Sequence, residues 1–104
     1  MSVRIESSNE GMTAFLMGEI DHHTARQIRE AIDTAVEKSK PKNLYLDFSE
    51  VSFMDSSGIG LIMGRFKLMQ HYSGKLTVTG ASERITKIIS LAGLKRLGIF
   101  NNAQ

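Results

Sequence analysis

Between Val51 and Gly60 the chain reads Val-Ser-Phe-Met-Asp-Ser-Ser-Gly-Ile-Gly. An acid, adjacent hydroxyls and a pair of glycines fall where an apolar strand-like run gives way to a helix-like one. The plainest chemistry there is capping, since Asp55, Ser56 or Ser57 can accept hydrogen bonds from the free N–H groups of a helix start. A cap alone does not require Asp55, Ser56, Ser57, Gly58 and Gly60 together, and it leaves Gly64, a further helix-weakening residue, without a reason. Glycines beside exposed hydroxyls let the backbone of another protein come close.

Catalytic patterns fit this stretch poorly. A dinucleotide loop needs Gly-x-Gly-x-x-Gly, but after Gly58 and Gly60 the third position is held by Met63. The Gly-Lys-Ser/Thr of a phosphate-binding Walker loop is absent, and Ser56 and Ser57 follow Met54-Asp55 rather than the Gly-x of a hydrolase elbow. A triad of Ser56, Asp55 and His22 or His23 has no second signature to support it. The other polar stretch, Gly18-Glu19-Ile20-Asp21-His22-His23-Thr24, suggests a metal only weakly. Zincin-type histidines stand four apart on a helix, whereas His22 and His23 are neighbours that point apart. It reads as a polar strand-to-helix turn, and neither a metal nor a cofactor is expected.

The elements that must carry these stretches follow from apolar periodicity. Val3 and Ile5 alternate with polar residues as a strand does, Ser7 to Gly11 is turn chemistry, and Thr13 to Ile20 forms a second strand, giving an antiparallel hairpin. Thr24 followed by Gln27 matches a capping box, with Thr24 as the expected N-cap. Ala25, Ile28, Ala31, Ile32, Ala35 and Val36 then recur at helical spacing until Pro41. Asn43 to Phe48 reads as a buried strand. After a connector, Ser56 or Ser57 opens a helix to about Tyr72, with Ile59, Ile62, Met63, Phe66 and Met69 as its core stripe. Leu76 to Thr79 is a short strand. Ser82 caps a third helix whose Ile85, Ile88 and Ile89 face inwards and which Gly93 stops, and Gly98 to Asn101 reads as a last edge strand. A hairpin followed by alternating helices and strands predicts an α/β domain over residues 1–104, a mixed sheet with helices packed on it.

Composition narrows the function classes. Two fifths of the 104 residues are apolar and under a quarter charged, which suits one globular domain. With no cysteine, disulfides, thiolate metal sites and cysteine nucleophiles are excluded, and a cytoplasmic location is favoured. No apolar run approaches the roughly 20 residues that span a bilayer, and the N-terminus lacks a signal-peptide core. The net charge is only +2, and the basic spots at Lys38 to Lys42 and Lys95-Arg96 have no interleaved aromatic residues, so neither a nucleic acid nor a membrane is an expected partner.

Gly18-Glu19-Ile20-Asp21 ahead of a helix, together with Asp47-Phe48 and then Met54-Asp55-Ser56-Ser57-Gly58-Ile59-Gly60, resembles the anti-sigma-factor antagonists, whose fold is the STAS domain. The resemblance runs to about Gly98, and Asp21-His22-His23-Thr24-Ala25 and Ser52-Phe53-Met54 are similar in wording to its stage II sporulation branch. It implies a regulatory protein without enzymatic activity. The unphosphorylated form would bind an anti-sigma factor that is also a serine kinase, and so free a sigma factor. Phosphorylation of Ser56 would end that binding, and a metal-dependent serine phosphatase would reset it. Asp21, His22, Asp55, Ser56, Ser57, Gly58, Ile59 and Gly60 are the implied partner-binding residues. A general-stress antagonist with the same switch is the alternative, and a small hydrolase or nucleotide binder the remote one. Family members usually continue into a further C-terminal helix, which is not read in Asn101 to Gln104.

Overall fold

The computed structural model describes residues 2–100. The chain begins with the expected hairpin: β1 (Val3–Ser8) pairs antiparallel with β2 (Gly11–Ile20). Gly11 closes the turn at φ +142, where a side chain would strike the Asn43 carbonyl at 2.6 Å, so glycine is needed there both for its conformation and for its size. Helix α1 (His22–Ser39) crosses over to β3 (Asn43–Met54), helix α2 (Ser56–His71) crosses to β4 (Lys75–Thr79), and α3 (Glu83–Leu91) follows. The sheet order is β1-β2-β3-β4, with β2, β3 and β4 mutually parallel.

Alternation along the strands decides which face is covered. Met12, Ala14 and Leu16 of β2, Leu44, Leu46 and Phe48 of β3, and Leu76 and Val78 of β4 are buried. Ile28, Ile32 and Val36 of α1 and Ile62 and Met69 of α2 complete that core. The intervening strand residues Thr13, Phe15, Tyr45 and Thr77 stay half-buried on the opposite face, where the Arg4 guanidinium lies 4.4 Å from the centre of the Phe15 ring.

Four details differ from the sequence expectation. β3 does not end at Phe48 but runs on to Met54, because its pairing with β2 slips twice, between Phe15 and Met17 and between Gly18 and Glu19. Such irregularities let Ser49 and Glu50 stay in the strand while the alternation of apolar residues lapses. The buried face of α2 carries Gly58, Leu61, Ile62, Arg65 and Met69, whereas Ile59, Met63 and Phe66 pack half-buried at its margin. In α3, Ser82 caps as expected through Ile85 N–H (3.2 Å), and Ile85 and Ile89 are buried while Ile88 is half-buried. Beyond it, Lys95–Leu97 form a single 3-10 turn, and Phe100 makes one parallel bridge to Val78 in place of a full edge strand. Asn101, the end of that expected strand, lies outside the described residues, as does the stretch to Gln104.

Candidate functional site

β2 and β3 are parallel and finish level, Ile20 opposite Met54. Each hands its chain directly to a helix through an aspartate in extended conformation, Asp21 for α1 and Asp55 for α2. The Asp55 N–H donates to the Ile20 carbonyl at 3.2 Å, tying one turn to the other. Stretches that are 34 positions apart in sequence thus share one edge of the sheet, the carboxyl ends of neighbouring strands where α/β folds place their functional groups.

The first turn is more tightly built than the sequence suggested. Thr24 is not the N-cap. Asp21 is: its carboxylate accepts from the N–H groups of His23 (2.9 Å) and Thr24 (3.0 Å), while Thr24 Oγ1 accepts from the Asp21 N–H at 2.9 Å. The reciprocal box is therefore Asp21 with Thr24, not Thr24 with Gln27. The helix starts as soon as β2 ends, so the first acceptor after the strand takes the cap. The Thr24 N–H bond, aided by that from His23 and opposed by desolvation, lowers the Asp21 carboxyl below its ordinary value. His22 and His23 fall in the first turn, exposed, and do not point apart as expected: their ring centres are 4.2 Å apart.

At the second turn Asp55 caps α2 by accepting from Ser57 N–H at 2.8 Å. Ser56 and Ser57 then diverge, as successive helical residues must by roughly 100°. Ser56 is exposed, while Ser57 is half-buried and faces the groove between α2 and α1. Gly58 turns inward and is closed off by the Met54 side chain, Ile59 packs against the core, and Gly60 is exposed with nothing within 4 Å of where a side chain would begin. Of the sequence-derived candidates, the edge therefore presents Asp21, His22, Asp55, Ser56, Ser57 and Gly60. Gly58 is a packing residue, and Ile59 contributes mainly to the core.

Sequence reasoning passed over two neighbours. Phe53 is 45% exposed beside this edge, an apolar side chain at the end of the extended β3. Arg65 is buried in α2 and forms an ion pair with Asp33 of α1, Nε to Oδ1 2.8 Å. Burial raises the Asp33 carboxyl and lowers the Arg65 guanidinium, and in each case the partner's charge opposes the shift. The signal was present: Arg65 lies at helical spacing between Leu61 and Met69. Among the described residues no cluster of three or more histidine, aspartate or glutamate side chains could hold a metal ion, and no helix is long and apolar enough to cross a membrane.

Two aspartate-capped helix starts thus stand side by side on a β1-β2-β3-β4 sheet. The STAS domain profile matches residues 3–104. The chain belongs to the STAS domain family. It is 30% identical to the anti-sigma F factor antagonist of Paenibacillus polymyxa over 103 residues, 98% of this chain and 88% of that one. It is 31% identical to the anti-sigma-B factor antagonist of Listeria monocytogenes over 99 residues, 95% and 86% of the two chains. Among solved structures it resembles the anti-sigma factor antagonist SpoIIAA in its unphosphorylated form, with a TM-score of 0.84, 30% identity and coverage of 98% and 88%. The corresponding values for SpoIIAA of Bacillus in its phosphorylated form are 0.77, 31%, 98% and 91%. This STAS domain is thus of the anti-sigma-factor-antagonist type, a regulatory group rather than a group of enzymes.

Proposed function

We propose that this STAS domain acts in the cytoplasm by binding an anti-sigma factor that is also an ATP-dependent serine kinase, and that Ser56 is its switch. The carrying observation is the exposed Ser56 hydroxyl at the first position of α2, beside the Asp21 turn. The kinase docks over Asp21, His22, Asp55 and the outward faces of Ser56 and Gly60, with Ser57 at the groove edge. In the unphosphorylated state this docking frees the sigma factor. The kinase then transfers the γ-phosphoryl of ATP to Ser56 Oγ. ADP leaves, and the hydroxyl proton passes to a base on the kinase. A metal-dependent phosphatase reverses the step with water, releasing inorganic phosphate.

The local physics supports a switch of this kind. A phosphoserine adds roughly −1.5 to −2 charges. At the start of α2 the free N–H groups and helix dipole accommodate negative charge, so the fold survives while its outer face changes sign. The carboxylates of Asp21 and Asp55 already stand there, and the added dianion makes the edge repel any acidic part of the kinase. That SpoIIAA has been solved both with and without phosphate agrees with a modification the fold tolerates.

Sporulation is the favoured setting, from the wording of His22-His23 and Phe53-Met54. Near-equal identity to sigma F and sigma B antagonists keeps the general-stress setting as the second reading. Incubation with each type of kinase and ATP tests both. One phosphate per chain from one kinase is expected. Turnover of an ester or nucleotide by the protein alone, with no phosphate taken up from either kinase, would overturn the proposal.

A further inference from the structure

The proposed switch uses the carboxylates and hydroxyls of the site and leaves a set of arginines without a role. Helices α1 and α2 pack against each other and leave an open groove of about 530 Å3 that begins at Ser57. Its α1 wall presents His22, Arg26 and Arg29, whose spacing places them on one helix face. Its α2 wall presents Gly60 and Gly64, one turn apart, and nothing lies within 4 Å of the positions their side chains would take. Every charged side chain lining the groove is basic: Arg26, Arg29 and, at its floor, Arg65.

These charges are unequally engaged. Arg65 is held by Asp33 at 2.8 Å. Arg26 and Arg29 share the single carboxylate of Glu30, at 3.4 and 4.0 Å, and all three side chains are about half exposed or more. Exposed pairs of this kind are weak and readily exchanged. Asp21 and Asp55 already occupy the N-terminal ends of the two helices as caps, so the groove's positive charge rests on its arginines, further along the helices. A basic channel with two glycines a turn apart on one wall suits an extended or helical segment that brings its own carboxylates and needs room for its backbone.

We propose that the groove between α1 and α2 receives an acidic segment of the partner protein, its carboxylates held by Arg26 and Arg29 and its backbone lying along Gly60 and Gly64. This rests on the proposed docking to an anti-sigma factor kinase and names the chemistry of the part that is bound. A phosphoryl group on Ser56, the residue before Ser57 at the groove's mouth, adds negative charge near the entrance and so disfavours that segment.

Two variants test the groove from opposite walls. Arg26→Glu/Arg29→Glu reverses its charge at exposed positions. Gly64→Leu fills it without changing charge and with a better helix former. Affinity for the anti-sigma factor kinase is measured by calorimetry at about 50 mM and about 300 mM salt. Wild type should weaken as salt rises. Both variants should bind at least about tenfold more weakly, and the charge-reversed one should lose most of its salt dependence. Wild-type affinity in both variants, with unchanged thermal stability, would overturn the proposal. If wild type itself binds no such kinase, the proposed function fails instead, and a titration with hexaglutamate followed by amide NMR still decides the groove. Shifts confined to Gly60, Gly64 and Arg29 support it, and shifts that are absent or spread over the surface overturn it.

Discussion

The three glycines of α2 should respond in opposite directions to the same substitution. Gly60 and Gly64 face open space, so alanine there meets nothing and removes glycine's entropic penalty in a helix, a gain of up to about 1 kcal/mol each. Gly58 is buried, and a methyl group there collides with Cγ and Sδ of Met54, a side chain itself only 4% exposed. Overpacking of this kind costs about 1–3 kcal/mol. Helix propensity returns at most about 1 kcal/mol of it, less in a first turn, so a net loss of about 1–2 kcal/mol is expected. In a domain of this size that lowers Tm by about 4–8 °C per kcal/mol, while Gly60→Ala and Gly64→Ala raise it. Thermal melts of the three variants read this directly, and a double-mutant cycle with Met54→Ala isolates the cause. Trimming Met54 alone costs about 2–5 kcal/mol as a cavity. Combined with Gly58→Ala it should fall short of additivity by about 1 kcal/mol or more, because the new methyl occupies the vacated space. Additive losses, or a stabilised Gly58→Ala, would refute the packing described for the start of α2.

Arg65→Met should destabilise the domain by about 1–3 kcal/mol, below the full penalty for breaking a buried pair because Asp33 is 29% exposed and can reach water. Burial already raises the Asp33 carboxyl, and without Arg65 it rises further. The folded state then favours the protonated acid, so the variant's deficit should shrink as pH falls through the Asp33 pKa, and pairing with Asp33→Leu should recover most of the loss, both measured by denaturant unfolding. Asp21 has the opposite sign. Its lowered carboxyl contributes stability that is present above the unfolded value of 3.8 and lost as pH falls through the folded one, so Asp21→Asn should flatten the acid limb of the unfolding curve. Asp21→Ala should also weaken kinase binding, read by calorimetry, and unchanged binding would remove that turn from the docking edge.

How far the sequence spoke differed from element to element. Short apolar runs and helical spacing located the strands and helices that flank the site, β3 only as far as Phe48. Asp-Ser-Ser-Gly was read at a strand-to-helix transition, and it is found there. What escaped depended on contacts distant in sequence. β3 looked finished at Phe48 because Ser49 and Glu50 interrupt the apolar pattern, and only the irregular pairing with β2 carries it on to Met54. Thr24-x-x-Gln27 is an acceptable capping box by itself, but the end of β2 at Ile20 hands the cap to Asp21 first. Arg65 was not singled out: its helical spacing between Leu61 and Met69 puts it on the buried face, but its partner Asp33 lies on another helix, distant in sequence. Gly58 and Gly60 look alike in sequence, and the packing of Met54 alone separates them.

The central claim is that Ser56, not Ser57, receives the phosphate, and phosphopeptide mass spectrometry on kinase-treated protein tests it most directly. Ser56 is exposed, whereas Ser57 is half-buried toward the groove with its N–H held by Asp55. Wild type and Ser57→Ala should each carry a single phosphate, on Ser56, while Ser56→Ala stays folded, binds the kinase persistently and takes up none. Phosphate located on Ser57, or retained by Ser56→Ala, would contradict the account.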